Sequence, residues 1–190
     1  MTTKERFAEI MHEVCDSDEG YREALEVVRI NCSGKIWLFG GFIYRNLVKA
    51  VYGKDSVSKD FDFIVEKLNE NLVVPDGWNL RRTRFGSPGM RGKSEIDIVP
   101  IYNVHAIRKK NLDCKIENYL WGVPLNIHNF VYEVDSRELF GEAGINSILE
   151  KVVRVHNLEM ALDAARIYST SVNEMIRKKA EELEFNYELM

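Results

Sequence analysis

Ile36-Trp37-Leu38-Phe39-Gly40-Gly41 and, further on, Asp60-Phe61-Asp62-Phe63-Ile64-Val65 are the stretches on which the fold turns. The first is a short apolar run stopped by two glycines. It reads as a buried strand that ends in a tight turn. Phe42 to Tyr52 follows at helical spacing and stops at Gly53. Phe61 to Val65 reads as a second strand. Residues i and i+2 of a strand share a face, so Asp60 and Asp62 stand side by side. Two like charges on one face, set among Phe61, Phe63, Ile64 and Val65, repel each other and desolvate poorly. A bound cation answers that problem; a solvated strand end is the plainer alternative.

A third acidic strand lies downstream. Glu95-Ile96-Asp97-Ile98-Val99 alternates, with Glu95, Asp97 and Val99 on one face and Ile96 and Ile98 on the other. It reads as a strand from Glu95 to Ile101, with a solvated edge as the alternative. Trp78 to Phe85 is predicted as another strand. Gly86-Ser87-Pro88-Gly89-Met90-Arg91-Gly92 has the composition of a loop. Two amphipathic helices are predicted at residues 3–15 and 20–31, joined by the acidic turn 16–20. After the acidic strands come a hairpin within 126–140 around Asp135-Ser136 and a helix from Ile145 to Lys151. A short strand, Val152–Val155, and a long helix from Leu158 to about Phe185 complete the pattern. It is a mixed sheet with helices around it, an α+β fold. Residues 1–35 are expected to be helices packed on a core at 36–135, with 136–190 a helical extension of the same compact unit.

Composition bounds the function classes. The chain has 190 residues, 45% hydrophobic and 29% charged. These are globular values, which exclude disordered and collagen-like classes. Lys and Arg total 26 against 30 Asp and Glu, so the net charge is −4 and an all-basic nucleic-acid coat is excluded. No run approaches the ~20 apolar residues of a membrane helix, and no signal core follows the N-terminus. Cys15, Cys32 and Cys114 are widely spaced with no C-x-x-C. They read as free thiols of a cytoplasmic protein. His12, His105, His128 and His156 lack metal-ligand spacing.

Within this acidic chain, residues 79–93 carry Arg81, Arg82, Arg84, Arg91 and Lys93 and no acid, until the next strand opens at Glu95. Arginine's fork suits phosphate. The stretch reads either as a triphosphate or RNA-backbone contact or as a solvated strand face. Trp78, Phe85 and Tyr102 are near enough in sequence to be candidates for stacking on bases, no more. Arg108-Lys109-Lys110 with Lys115 reads as a solvated face.

Glycines followed by a helix admit a phosphate to backbone N–H groups and to the positive end of the helix dipole, although a turn before a helix is often only a turn. Clustered carboxylates suit Mg²⁺, which takes oxygen ligands and keeps sites for water and phosphate. Two such ions can clamp an in-line phosphoryl displacement. Three carboxylates and a glycine turn are the parts that chemistry needs.

The order strand, Gly-Gly, helix, Asp-x-Asp and then an apolar-flanked Asp resembles the DNA polymerase β-like nucleotidyltransferase superfamily. The likeness is greatest to the head domain of bacterial poly(A) polymerases and CCA-adding tRNA nucleotidyltransferases. It rests on Trp37-Leu38-Phe39-Gly40-Gly41 with Ser58-Lys59-Asp60-Phe61-Asp62-Phe63-Ile64, and continues weakly through Asn126–Tyr132 and Ile148–Val155. The resemblance implies that Asp60, Asp62 and Asp97 are the catalytic, metal-holding carboxylates for Mg²⁺ or Mn²⁺. It implies that Gly40 and Gly41 contact the β and γ phosphates. Arg45 behind the glycines, and Arg82 and Arg84 of the basic stretch, are the further phosphate-ligand candidates. The implied reaction moves a nucleotide from an NTP to a hydroxyl, an RNA 3′ end first among acceptors, and releases pyrophosphate. RNA would lie along Arg81–Lys93. A binding module without turnover, and transfer to a protein or small molecule, are the alternatives.

The departures are specific. The Arg-Asp pair that follows the glycines in that family is here Tyr44-Arg45. The base-reading Arg-Arg-Asp-Phe-Thr maps onto Gly122-Val123-Pro124-Leu125-Asn126, and the downstream Glu-Asp-x-x-Arg falls near His156-Asn157. The metal positions are kept while the base-reading ones are not. With room in 190 residues for a head and a short helical neck, the expectation is a transferase with looser base choice or another acceptor.

Overall fold

The computed structural model describes residues 1–54, 60–83 and 86–190. The predicted N-terminal helices are α1 (Thr3–Ser17) and α2 (Glu19–Asn31). Thr2 and Glu5 form a capping box on α1, with bonds of 3.2 and 2.6 Å. The expected acidic turn between the helices shrinks to Asp18, which ends α1 and caps α2 through Tyr21 N at 2.8 Å.

The core element is a seven-stranded sheet, ordered β3-β4-β5-β2-β1-β6-β7. Its strands are β1 (Cys32–Phe39), β2 (Asp60–Leu68), β3 (Asn79–Arg82), β4 (Pro88–Arg91), β5 (Glu95–Pro100), β6 (Val131–Glu133) and β7 (Glu138–Phe140). Only β2 and β5 pair in parallel; the other neighbours are antiparallel. Helix α3 (Gly41–Tyr52) connects β1 toward β2.

Strand alternation divides the apolar residues between two cores. Ile36 and Leu38 of β1, Phe61, Phe63 and Val65 of β2, and Ile96 and Ile98 of β5 join α1, α2 and α3 on one face. Trp37, Ile64 and Val131 face the other way and pack on Ile107 of α4 (His105–Lys110) and on Ile116 and Tyr119 of α5 (Ile116–Trp121). Each helix of this second pair has six residues, too short for its periodicity to show in the sequence.

Two expectations are corrected. The Gly86–Gly92 segment is not all loop: Pro88–Arg91 forms β4, with Met90 fully buried. Proline is tolerated because it is the first residue of the strand. Gly89 sits opposite Asp97, and a Cβ there would stand 2.9 Å from the Asp97 carboxylate, so the close approach selects glycine. The long C-terminal helix is two, α7 (Leu158–Tyr168) and α8 (Val172–Leu183). Ser169 turns left-handed at φ 53°, and the Ser171 hydroxyl accepts from Glu174 N at 3.1 Å as a new N-cap. A Ser-Thr-Ser run offers such local bonds in place of the helical ladder.

The hairpin expected in 126–140 is β6–β7, and the expected helix before Lys151 is α6 (Glu142–Glu150). The short strand is β8 (Val152–Val153), paired in parallel with β9 (Asn186–Tyr187). All three cysteines are free thiols, with Cys114 exposed. Among the described residues, no helix is long and apolar enough to cross a membrane.

Candidate active site

Parallel pairing of β2 with β5 sets the carboxylates in register: Asp60 opposite Glu95 and Asp62 opposite Asp97. Strand neighbours lie about 5 Å apart. The same alternation that sends the Phe and Ile side chains into the first core turns these four acids to the other face. The acids occupy the end of that face beyond Ile64 and Val99. Asp60 is exposed at the rim, and Asp62 and Asp97 are half-buried.

Their charges are expensive there. Burial, then the neighbouring Asp97 and Asp60 carboxylates, pushes Asp62 up to about 7, against the pull of Arg81 and Arg45. Asp97 is also raised, by burial first, although Arg81 lowers it. Arg81 reaches this face from β3, with Nη2 2.5 Å from Asp97 and 3.5 Å from Glu95.

The glycine turn borders the same place. Gly40 has φ 80°, a conformation that glycine adopts without penalty. A Cβ on Gly40 would collide with the Asp62 carboxylate. The turn is thus forced up against the acid, and α3 begins there with no side chain capping its first N–H groups. Arg45 runs back along the turn and donates through Nε to Glu182 of α8 at 2.9 Å. Lys179, also on α8, donates to the Tyr44 hydroxyl at 2.7 Å and to Glu182 at 2.6 Å. His128 lies beneath, its ring 6.0 Å from Tyr44. Burial, then the Lys179 charge, pushes it down to about 3, so it is neutral.

A cavity of about 390 Å³ opens from Gly40, Gly41, Asp62 and Asp97. Tyr119, Val123 and Pro124 line one side, and Met160, Ala164 and Ile167 of α7 also line it. The positions aligned with the base-reading motif therefore do line a cavity beside the acids. Here they are Gly122, Val123 and Pro124, which present no charged group. Asn126, in the same segment, is structural: its amide oxygen accepts from Arg154 N at 2.9 Å and its amide nitrogen donates to Val152 O at 2.9 Å.

The sequence-predicted residues divide accordingly. Asp60, Asp62, Asp97, Gly40, Gly41 and Arg45 come together. Arg82 does not join them: next to Arg81 on the strand, it takes the opposite side and donates to the Gly86 carbonyl at 3.1 Å. Arg84 lies outside the described residues, as do Ser58, Lys59 and Phe85. Arg91 pairs with Glu95 at 2.9 Å and Lys93 lies 3.9 Å from Glu23, both at the surface with their side chains largely exposed. Lys109 and Lys110, expected on a solvated face, tie α4 to Glu159 of α7 at 3.0 and 2.6 Å. Lys179 carried no signal in the sequence, because only the contact of α8 with Tyr44 and Arg45 brings it to the turn, and His128 reaches Tyr44 from the separate 126–128 turn.

The donor set is all carboxylate oxygen, which suits a hard cation such as Mg²⁺. A half-buried Asp62, raised by burial and then by its acidic neighbours, is a group that a cation would relieve. Among the described residues, no group of three or more His, Cys, Asp or Glu side chains forms a preformed metal cage.

No family model matches the chain, and no curated protein matches it. Solved structures do. A tRNA-processing enzyme in an apo form superposes with TM-score 0.58 at 16% identity, over 90% of this chain and 44% of that one. A CCA-adding enzyme with CTP gives TM-score 0.54 at 18% identity, over 82% of this chain and 36% of that one. A CCA-adding enzyme with ATP gives 0.53 at 19%, with the same coverage of 82% and 36%. The chain spans less than half the length of these structures. At such identities the likeness is one of fold, and the chain has a nucleotidyltransferase-type fold.

Proposed function

We propose that the protein is a metal-dependent nucleotidyltransferase that moves a nucleotide from an NTP to a hydroxyl, an RNA 3′ end first among acceptors, with release of pyrophosphate. The observation that carries this reading is the placement of Asp62 and Asp97 in register on β2 and β5, with Gly40 pressed against Asp62 at the start of α3. The structural neighbours with CTP and ATP support it as proteins of like fold.

Asp60, Asp62 and Asp97 would hold Mg²⁺ or Mn²⁺. When bound, such ions neutralise phosphate charge and activate the attacking hydroxyl. The chain's own part is positioning and electrostatics. Gly40 and Gly41 let the triphosphate approach the backbone at the positive end of α3. Arg45 flanks the turn as a cation. The slot between Tyr119, Val123, Pro124 and Met160 shelters the base from water. Its walls are apolar, and the polar Asn103 and His105 beside it already bond Ser87, Arg108 and Asp163. Such a slot grips a planar base by contact and discriminates weakly between bases.

A second reading, a nucleotide-binding module without turnover, is favoured by the Arg81–Asp97 ion pair within the acidic face. One experiment separates them. Each labelled NTP is incubated with the protein, Mg²⁺, total RNA and cell extract. Label transferred to RNA by wild type but not by Asp60→Ala or Asp62→Ala supports the transferase. NTP binding with no label transferred to any acceptor supports the module.

A further inference from the structure

Arg81 has an unusual setting. Its Nη2 bonds Asp97 at 2.5 Å and lies 3.5 Å from Glu95, while its Nε is buried with no hydrogen-bond partner. The pair is no solvated surface contact: the Arg81 side chain keeps 34% of its exposure and Asp97 27%. Gly89 makes the room, since a Cβ there would stand 3.2 Å from the Arg81 guanidinium carbon. Four carboxylates share this face, and Arg81 is the cation bonded to two of them.

We infer that Arg81 is the resident counter-ion of the carboxylate face, so that a divalent cation enters together with a triphosphate rather than ahead of it. This rests on the metal-dependent reading of the same acids. A cation on Asp97 must displace Arg81, and a half-buried guanidinium left with only the 3.5 Å contact to Glu95 is costly. A triphosphate removes that cost. Once the side chain has swung off Asp97, the triphosphate offers Nη2 and the otherwise buried, orphaned Nε two acceptor oxygens in the forked geometry that arginine prefers. Metal and nucleotide then strengthen each other's binding by one common factor.

The test is Mn²⁺ titration followed by the electron paramagnetic resonance of free Mn²⁺, with and without a non-hydrolysable NTP analogue, after subtracting the Mn²⁺ that the analogue holds in the absence of protein. Wild type should take up Mn²⁺ at least about 10-fold more tightly with the analogue present. Arg81→Gln, checked for folding by circular dichroism, should tighten nucleotide-free Mn²⁺ binding by about 10-fold and lose most of the coupling. Arg81→Lys, which keeps the charge but not the fork, should stay close to wild type without nucleotide and show reduced coupling. It also serves if the glutamine variant does not fold. If both proteins bind Mn²⁺ with the analogue, yet Arg81→Gln is as weak as wild type without it, the role of Arg81 is overturned while the metal reading stands. If neither protein takes up Mn²⁺ under any condition, the metal reading falls and this inference with it.

Discussion

Asp62 shows what a half-buried carboxyl beside other acids costs in stability. Its carboxyl is raised from 3.8 to about 7 by burial and by Asp97 and Asp60. A carboxyl whose folded pKa lies above its unfolded value favours folding when protonated. Its cost is therefore absent below about pH 4, grows between 4 and 7, and is complete above 7. Asp62→Asn should raise Tm by at least ~4 °C at pH 8 and leave it nearly unchanged at pH 4, as read by thermal melts. His128 works in the opposite direction. Pushed from 6.5 down to about 3, it resists protonation in the fold. Stability is lost as pH falls below 6.5, so His128→Gln should flatten the acid limb of the same melts between 6.5 and 4. Gly40→Ala combines a positive φ with a collision against Asp62. It should abolish NTP-dependent activity and lower Tm together.

Among the elements, β1 was legible in the sequence as an apolar run stopped by two glycines, and β2 and β5 because apolar residues alternate with acids. Three features were not. Strand β4 is written in Pro, Gly, Met and Arg, and its pairing rests on the space Gly89 leaves opposite Asp97. The phase of β3 could not be set. Its residues Asn79 to Arg82 include no buried side chain to mark the inner face, so nothing in the sequence separates Arg82 from Arg81, which makes the contact. The break between α7 and α8 is a matter of caps. Hydrophobic spacing continues across it, while Ser169 and Ser171 end one helix and start the next. Ser171→Ala should cost about 1 kcal/mol, seen as a fall in Tm of about 2–4 °C. It should also weaken NTP affinity, because α8 carries the Lys179 and Glu182 that hold Tyr44 and Arg45 beside the glycine turn.

For the whole molecule, the net charge of −4 conceals local pairing. Within the arginine-rich stretch, Arg81 turns inward on Asp97 and Glu95, while Arg91 and Lys93 pair with Glu95 and Glu23 at the surface and stay largely exposed. The cavity could not be read from the sequence at all. Its walls come from segments around Phe39, Asp97, Tyr119, Val123 and Met160, which only the fold assembles. What the sequence did carry was the acid spacing and the glycine turn, and the seven-stranded sheet brings both to one place. The claim on which the account stands is that this place turns over a nucleoside triphosphate. Pyrophosphate release by the purified protein, with Mg²⁺, an NTP and RNA, measures it. The account predicts release by wild type, loss on chelation, and loss in Asp62→Ala folded as judged by circular dichroism. Release undiminished in Asp62→Ala would contradict it.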